Sequence, residues 1–361
     1  MLEVIGLENK NKWLDIVLQF KNHEVYYLPQ YTQAFQIHGD GQPGLFYFES
    51  EKFKAINVVM KRDISQCQYF SKAFSRDTLF DITTPYGYGG FLIEGETDSE
   101  GLGQLNEEYT AYCREEGIVS EFVRFHPLLE NHIGLESVYE IKELGRAISM
   151  DLVSPQVIES NIRPKTRKRI NKAVSDGIKV YHGNTQELYT TFKKMYDRTM
   201  DRKIADQYYY FGERFYQSIL NDMGDRAKIF YATYEGEIVA MQIVLSCNRR
   251  IYSHLSASKR EYQFLSPGAL IKYKTALWGC ENGFDAFYLG GGVGSHEDNL
   301  YKYKHKFNIN SDCRFVTGRK IFDEEQYAQL LKIRKSASVL ELDPAYFPAY
   351  RVADEAREEA G

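Results

Sequence analysis

A unit that occurs twice constrains this chain more than any other feature of its sequence. In the first half, the strand-like LFDITT is followed by the turn PYGYGG, the helix-like GLGQLNEEYTAYCREEG and the strand-like IVSEFVRFHP. In the second half, RIYSHLSAS leads through an irregular KREYQFLSPG to the helix-like ALIKYKTALWGCENG and the strand-like FDAFYLGGG. Both units run strand, Gly/Pro or polar loop, helix closed by glycine, strand, and a glycine just past a helix is a plausible left-handed cap. Further alternating segments, such as AINVVMKRDI (55–64) and VSEFVRFHPLL (119–129), are interleaved with helical ones. The predicted fold is α/β with mixed sheets, in two related tandem domains.

Length agrees, since 361 residues exceed what one hydrophobic core usually serves. A boundary is expected near 145–165, where SMDLVSPQVIESNIRPKTRKRINKA passes from a strand into a Pro-punctuated helical start. The expected domains are therefore 1–150 and 151–330. Residues 331–361 are left as a tail, a partly ordered strap that carries no visible chemistry and ends in a charged, helix-prone segment.

Composition excludes several classes. Hydrophobic residues at 43% and charged residues at 26% describe a packed protein rather than a disordered one. A net charge of −5 means that any phosphate contact must come from a local basic patch. The 28 Tyr and 22 Phe suit either strand packing or sugar and peptide recognition in a wet groove. Cys67, Cys113, Cys247, Cys280 and Cys313 show no C-x-x-C spacing and are odd in number, so neither a metal site nor a disulfide framework is indicated. The N-terminus lacks the pattern of a signal peptide, and no apolar run approaches the ~20 residues of a membrane span. A cytoplasmic chain with no integral membrane segment is expected.

Two stretches could carry chemistry. The first is the loop Gln263-Phe-Leu-Ser266-Pro-Gly268, which opens the second repeat's helix. A helix N-terminus offers oriented N–H groups and a favourable dipole to an anion, although Ser before Pro is also an ordinary helix start. The second is LGGGVGSHEDNLYKYKHKF, residues 289–307. The glycines do not fit G-x-G-x-x-G, and too little chain follows for a dinucleotide fold. Three glycines at a strand end instead mark a close approach of ligand or backbone, which makes Gly291 and Gly292 candidates beside the loop. On the short helix that follows, Tyr303 and Phe307 are four apart and can face the core, while Lys304 turns to a neighbouring groove.

The strand-GGG, variable loop and L-Y-x-Y-K-x-x-F of residues 287–307 resemble the C-terminal signature of the Fem-type transferases. These are tandem GNAT-fold enzymes that add amino acids to the stem peptide of peptidoglycan precursors. ITTPYGYGG and the stretch Tyr196-Asp-Arg-Thr-Met-x-Arg202 also look familiar from that group, so the resemblance covers most of the chain. The long helical-hairpin arm of some members is absent. The resemblance implies two GNAT-like acyltransferase domains with the transfer site in the second. Lys304 then matches the lysine at the acyl-transfer centre, and Tyr196 and Arg202 match a helix lining the acceptor groove. GNAT acyltransferases hold coenzyme A pyrophosphate on a Q/R-x-x-G-x-G/A loop. Here Gln263 and Gly268 fit while the first glycine is Ser266, so acyl-CoA and aminoacyl-tRNA both stand as donors.

Other residues suit an anionic or sugar-bearing acceptor. Arg163, Lys165, Arg167, Lys168, Arg169 and Lys172 form a basic run that either neutralises phosphates or is a solvated helix face. Tyr86 and Tyr88, in a Gly-rich turn, could stack on a sugar or peptide, and Arg124 and His126 leave the same face of one strand. No Ser-His-Asp order, H-E-x-x-H or close carboxylate pair stands out, which matters little where positioning and oxyanion stabilisation carry the chemistry. The expected function is N-acyl or aminoacyl transfer to an amine of a nucleotide-linked or lipid-linked cell-envelope precursor, with tRNA as a further partner and no metal. The alternatives are a CoA-dependent N-acetyltransferase on a nucleotide sugar and a non-catalytic precursor-binding module.

Overall fold

The structure is a computed structural model that describes residues 1–337, 342–343 and 345–352. In chain order the first part supplies β1 (Leu2–Gly6), α1 (Lys10–Val17), α2 (Pro29–His38), β2 (Gln42–Glu49), β3 (Phe53–Asp63), β4 (Phe80–Thr83), β5 (Leu92–Gly95), α3 (Ser99–Glu115), β6 (Ile118–Arg124) and β7 (Glu140–Arg146). There follow β8 (Ile148–Asp151), α4 (Pro155–Asn161), α5 (Pro164–Ser175), β9 (Lys179–Gly183), α6 (Gln186–Lys203), α7 (Glu213–Met223), β10 (Ala227–Tyr234), β11 (Glu237–Cys247) and β12 (Arg250–Ser258). The last elements are α8 (Pro267–Glu281), β13 (Ala286–Gly290), α9 (Asn299–Lys304), β14 (Arg314–Ile321) and α10 (Glu324–Ala337).

The chain divides into two units. The first comprises Met1–Asn22, Tyr26–Glu143 and the described residues from Val316 onward, and the second comprises His23–Val25 and Leu144–Phe315. The first unit's sheet has the order β1-β2-β3-β4-β6-β14-β7, with β5 paired to β3. The second has the order β8-β13-β12-β11-β10-β9. In each, a run of antiparallel strands ends in one parallel pair, β4 with β6 and β12 with β13. A helix connects the members of each pair, α3 in the first and α8 in the second. An antiparallel strand then follows each pair, β14 against β6 with β7 beyond it, and β8 against β13 at the sheet's edge.

The placement of β14 departs from the expected domain limits. Residues 316–330 were expected in the second domain, but β14 pairs Thr317 with Arg124 and Ile321 with Ser120 in the first unit's sheet. Within the tail, Tyr350 packs with Ile64, Phe70 and Val119, and Arg351 donates to the buried Asp81 carboxylate at 2.5 Å. The charged end of the tail, 353–361, lies outside the described residues.

Local chemistry explains the repeated helices. Asp98 caps α3 by accepting from the Gly101 amide at 2.8 Å, and α8 begins with Pro267 at its first turn. Both helices end before a glycine with positive φ, Gly117 at 67° and Gly283 at 77°. α8 then buries Leu270, Ile271 and Ala276 in a core with Phe230, Val244 and Ile251 of the second sheet.

Candidate active site

The parallel pairing of β12 and β13 spans three residue pairs, from Arg250 with Ala286 to Tyr252 with Tyr288. β12 then runs on to Ser258 without that partner, and β13 ends in the glycines. Just past the end of the pairing, His254 is the extra residue of a bulge, since Leu255 pairs with Ile243 and Ser253 with Val244. Burial pushes the His254 imidazole down to about 3, so it is neutral at physiological pH.

Lys304 stands at the end of β13. Its Nζ donates to the Gly291 carbonyl at 2.7 Å and lies 3.3 Å from where a Cβ on Gly290 would sit. Gly290 has φ 81°, a conformation that favours glycine and turns the chain toward the lysine. The helix carrying Lys304 is capped by Asp298, whose Oδ1 accepts from the Tyr301 amide at 2.8 Å and whose Oδ2 accepts from the Val293 amide at 3.2 Å. Tyr303 meets Phe307 edge-on at 5.4 Å, and Phe307 is fully buried in the core. Tyr303 and Phe307 thus pack on one another while Lys304 turns to the end of β13.

Burial pushes the Lys304 ammonium down to about 7, the charges of Lys272 and Lys203 add to that effect, and Asp298 opposes it. Lys272 was not anticipated from the sequence. It projects from α8, is 6% exposed, and holds its Nζ 5.6 Å from the centre of the Tyr303 ring. Burial lowers its pKa to about 8. The available signal was its spacing: Lys272 shares the buried face of α8 with Thr275, Ala276 and Gly279, at intervals of three, four and seven.

The expected donor-side residues are brought to this region in part. Gly268 lies beside Tyr303, whose hydroxyl would be 3.8 Å from a Cβ at that position. Ser266 adopts a left-handed conformation, φ 57°, and α8 has no side-chain cap. Gln263 donates to the Ser258 hydroxyl at 3.5 Å, and Arg202 donates to the Ser258 carbonyl at 2.7 Å, so both gather at the end of β12. At Gly291 and Gly292 it is backbone that approaches closely. A Cβ on Gly291 would meet the Arg146 carbonyl at 3.0 Å, and one on Gly292 the His296 carbonyl at 2.1 Å, so both glycines let the protein's own backbone pass.

The expected acceptor residues fall in both units. Tyr86 and Tyr88 are in the first unit, where Tyr86 stacks on Phe35 at 5.3 Å and Tyr88 meets His126 edge-on at 5.6 Å. Arg124 donates to the Thr84 hydroxyl at 3.3 Å, and His126 is buried. Tyr196 is in the second unit but is core, stacked on Phe192 at 5.6 Å and 3% exposed, because it shares the buried face of α6 with Phe192 and Met200. Arg167 donates to the Glu159 carbonyl at 2.8 Å. The basic run lies on α5, which buries Thr166, Ile170 and Ala173 and leaves its cations on the remaining arc.

Among the described residues, no cluster of three or more His, Cys, Asp or Glu side chains could hold a metal ion, and no helix is long and apolar enough to cross a membrane. Residues 160–305 match the family model described as an acetyltransferase (GNAT) domain. Over 171 residues the chain is 28% identical to the UDP-N-acetylmuramoylpentapeptide-lysine N(6)-alanyltransferase of Weissella viridescens, a match covering 46% of this chain and 50% of that protein. The chain thus spans about half the length of this relative. The solved structure of FemX superposes with a TM-score of 0.63 at 12% identity, covering 91% of this chain and 99% of that one. The C-terminal domain of a putative lysylphosphatidylglycerol synthetase from Agrobacterium fabrum superposes at 0.54, also with 12% identity, covering 91% and 95%. Residues 160–305 thus match a GNAT domain, part of the chain is similar to a Fem-type alanyltransferase, and its fold is similar to that of FemX.

Proposed function

We propose that this protein is a cytoplasmic N-acyltransferase that moves an acyl or aminoacyl group from its donor to an amine of a cell-envelope precursor. The observation that carries this reading is the placement of Lys304, half-buried at the glycine end of β13 and tethered to the Gly291 carbonyl. An amine attacking a donor ester or thioester builds negative charge on the carbonyl oxygen. A fixed ammonium in a poorly hydrated site stabilises that charge without reorganising. A second requirement is that both substrates be held at reacting distance, which is largely a matter of positioning.

Aminoacyl-tRNA is favoured as donor over acyl-CoA, because the matched relative is an alanyltransferase and because Ser266 replaces the first glycine of the pyrophosphate loop. The favoured acceptor is a lysine side chain of a nucleotide-linked muropeptide, as that relative's name states for its own substrate. The test is direct. The purified chain is incubated with UDP-MurNAc-pentapeptide and either alanyl-tRNA or acetyl-CoA, and the acceptor is weighed by mass spectrometry. A product heavier by one alanyl residue supports the reading, one heavier by an acetyl group moves the donor to coenzyme A, and an unmodified acceptor with both donors overturns it for this acceptor.

A further inference from the structure

We propose that Lys272 is a positioning residue of the transfer site: its buried ammonium, held over the Tyr303 ring on the flank of Lys304, sets the charge state in which Lys304 meets the substrate. This inference rests on the transfer function proposed for Lys304 and adds to it a residue on another element.

The geometry carries the argument. Lys272 is almost fully buried, and among the described residues it makes no hydrogen bond or ion pair. Its one favourable polar contact is the face of Tyr303, 5.6 Å from Nζ, and Lys306 stands over the same ring at 5.8 Å. A buried cation without an anionic partner is costly, and a methionine of similar volume would fill the same space at no such cost. No ion pair therefore accounts for a lysine at this position. What it does have is a neighbour: Tyr303 and Lys304 are consecutive on α9, so the charge of Lys272 is fixed at the flank of Lys304 by the packing of α8 against the same core.

The groups facing Lys304 come from several elements. Lys272 on α8 and Lys203 at the end of α6 repel its proton, and Asp298, the cap of α9, attracts it. From its own helix comes Tyr303, whose hydroxyl is pushed up to about 12 and stays neutral. From β13 comes Tyr288, whose ring lies 3.9 Å from the Cβ position of Gly290. With two cations against one carboxylate, Lys304 is held near the point where it can exist in either form close to neutral pH, and Lys272 is the cation that is locked in place by burial. Removing its charge leaves Asp298 opposed only by the exposed Lys203.

The test follows the Lys304 proton itself. In 15N-lysine-labelled protein, the Nζ signal lost in Lys304→Met identifies Lys304, and its titration is recorded for the parent, Lys272→Met, Lys272→Gln and Lys272→Arg. Removing this like charge is expected to raise the proton affinity of Lys304 roughly tenfold or more in the Met and Gln variants. The Arg variant should keep the parent midpoint. With the substrate pair found in the mass assay, the pH limb of turnover should move by the same amount and return in Lys272→Arg. An unmoved Lys304 midpoint in both Lys272→Met and Lys272→Gln overturns the inference, as does the same displacement in Lys272→Arg. Absence of any product with the parent chain would count instead against the transfer function, because the titration is read without substrate.

Discussion

Lys304 donates its hydrogen bond to the carbonyl of Gly291, thirteen residues earlier in the chain, at 2.7 Å. The bond fixes the lysine to the strand end rather than leaving it to sample a loop. Its ammonium is thereby presented where β13 runs out.

Replacing Lys304 with Met should keep most of the stem's packing and remove the charge. If the ammonium supplies one transition-state contact of the oxyanion-hole kind, turnover with a verified substrate pair should fall by roughly 100-fold or more, about 3 kcal/mol. The melting temperature should change little, because the half-buried charge contributes no ion pair that folding depends on. Unchanged turnover would leave Lys304 a tethering residue only.

Asp298 does two things that its removal separates. As the cap of α9 it holds the Tyr301 amide, so Asp298→Ala should cost about 1 kcal/mol of stability, read as a lower denaturant midpoint. Through its charge it also raises the Lys304 pKa. Its loss should therefore move the Lys304 titration to lower pH, opposite in sign to the effect of losing Lys272. A shift in the same direction as Lys272→Met would show that Asp298 acts through the loop rather than through its charge.

The first unit has a buried acid of its own. Glu121 accepts from Asn57 Nδ2 at 2.8 Å, and burial pushes its carboxyl up to about 7 against the hydrogen bonds of Asn57, Tyr109 and Tyr139 and the charge of Lys320. The folded pKa thus exceeds the unfolded value of 4.5. Its contribution to stability is fully present below pH 4.5 and is lost as the pH rises through about 7. Glu121→Gln cannot ionise, so its melting temperature relative to the parent should climb between pH 5 and 8. A constant difference across that range would place the ionisation elsewhere.

Asp81 shows the reverse sign. It is fully buried, accepts from Arg62 at 2.7 Å and from Arg351 at 2.5 Å, and its pKa is lowered because the charges of the two arginines and their hydrogen bonds outweigh burial. The stability it contributes is present above its unfolded pKa of 3.8 and is lost as pH falls through the lower folded value. Arg351→Ala leaves Arg62 in place, so ~2–3 kcal/mol should be lost near neutral pH and less in strong acid. Thermal unfolding at pH 7 and pH 2.5 checks both halves of that statement.

The two repeats were legible because their signals are local. Alternation, a polar or Gly/Pro loop and a capping glycine recur within short windows, and β4, α3, β6, β12, α8 and β13 follow them closely. β14 was assigned to the wrong unit because its partner β6 lies in the other half of the chain and no local feature records that pairing. Tyr196 was carried into a groove by resemblance, although its spacing from Phe192 and Met200 marks the core face of α6. Lys272 escaped notice for the opposite reason: a lone lysine in a helix is ordinarily a solvated one, and only the packing of α8 shows that it is enclosed.

The placement of β14 has a consequence for how the chain is made. A ribosome releases Ile118–Arg124 long before Arg314–Ile321, so the nascent first unit carries an open strand edge while nearly two hundred further residues are synthesised. During that interval the edge is free to pair with another chain. The same arrangement means that a cut near residue 150, chosen from the sequence repeat, would deprive the first fragment of the strand that joins β6 to β7. The first unit's sheet therefore gains its full set of strands only after most of the second unit has been translated.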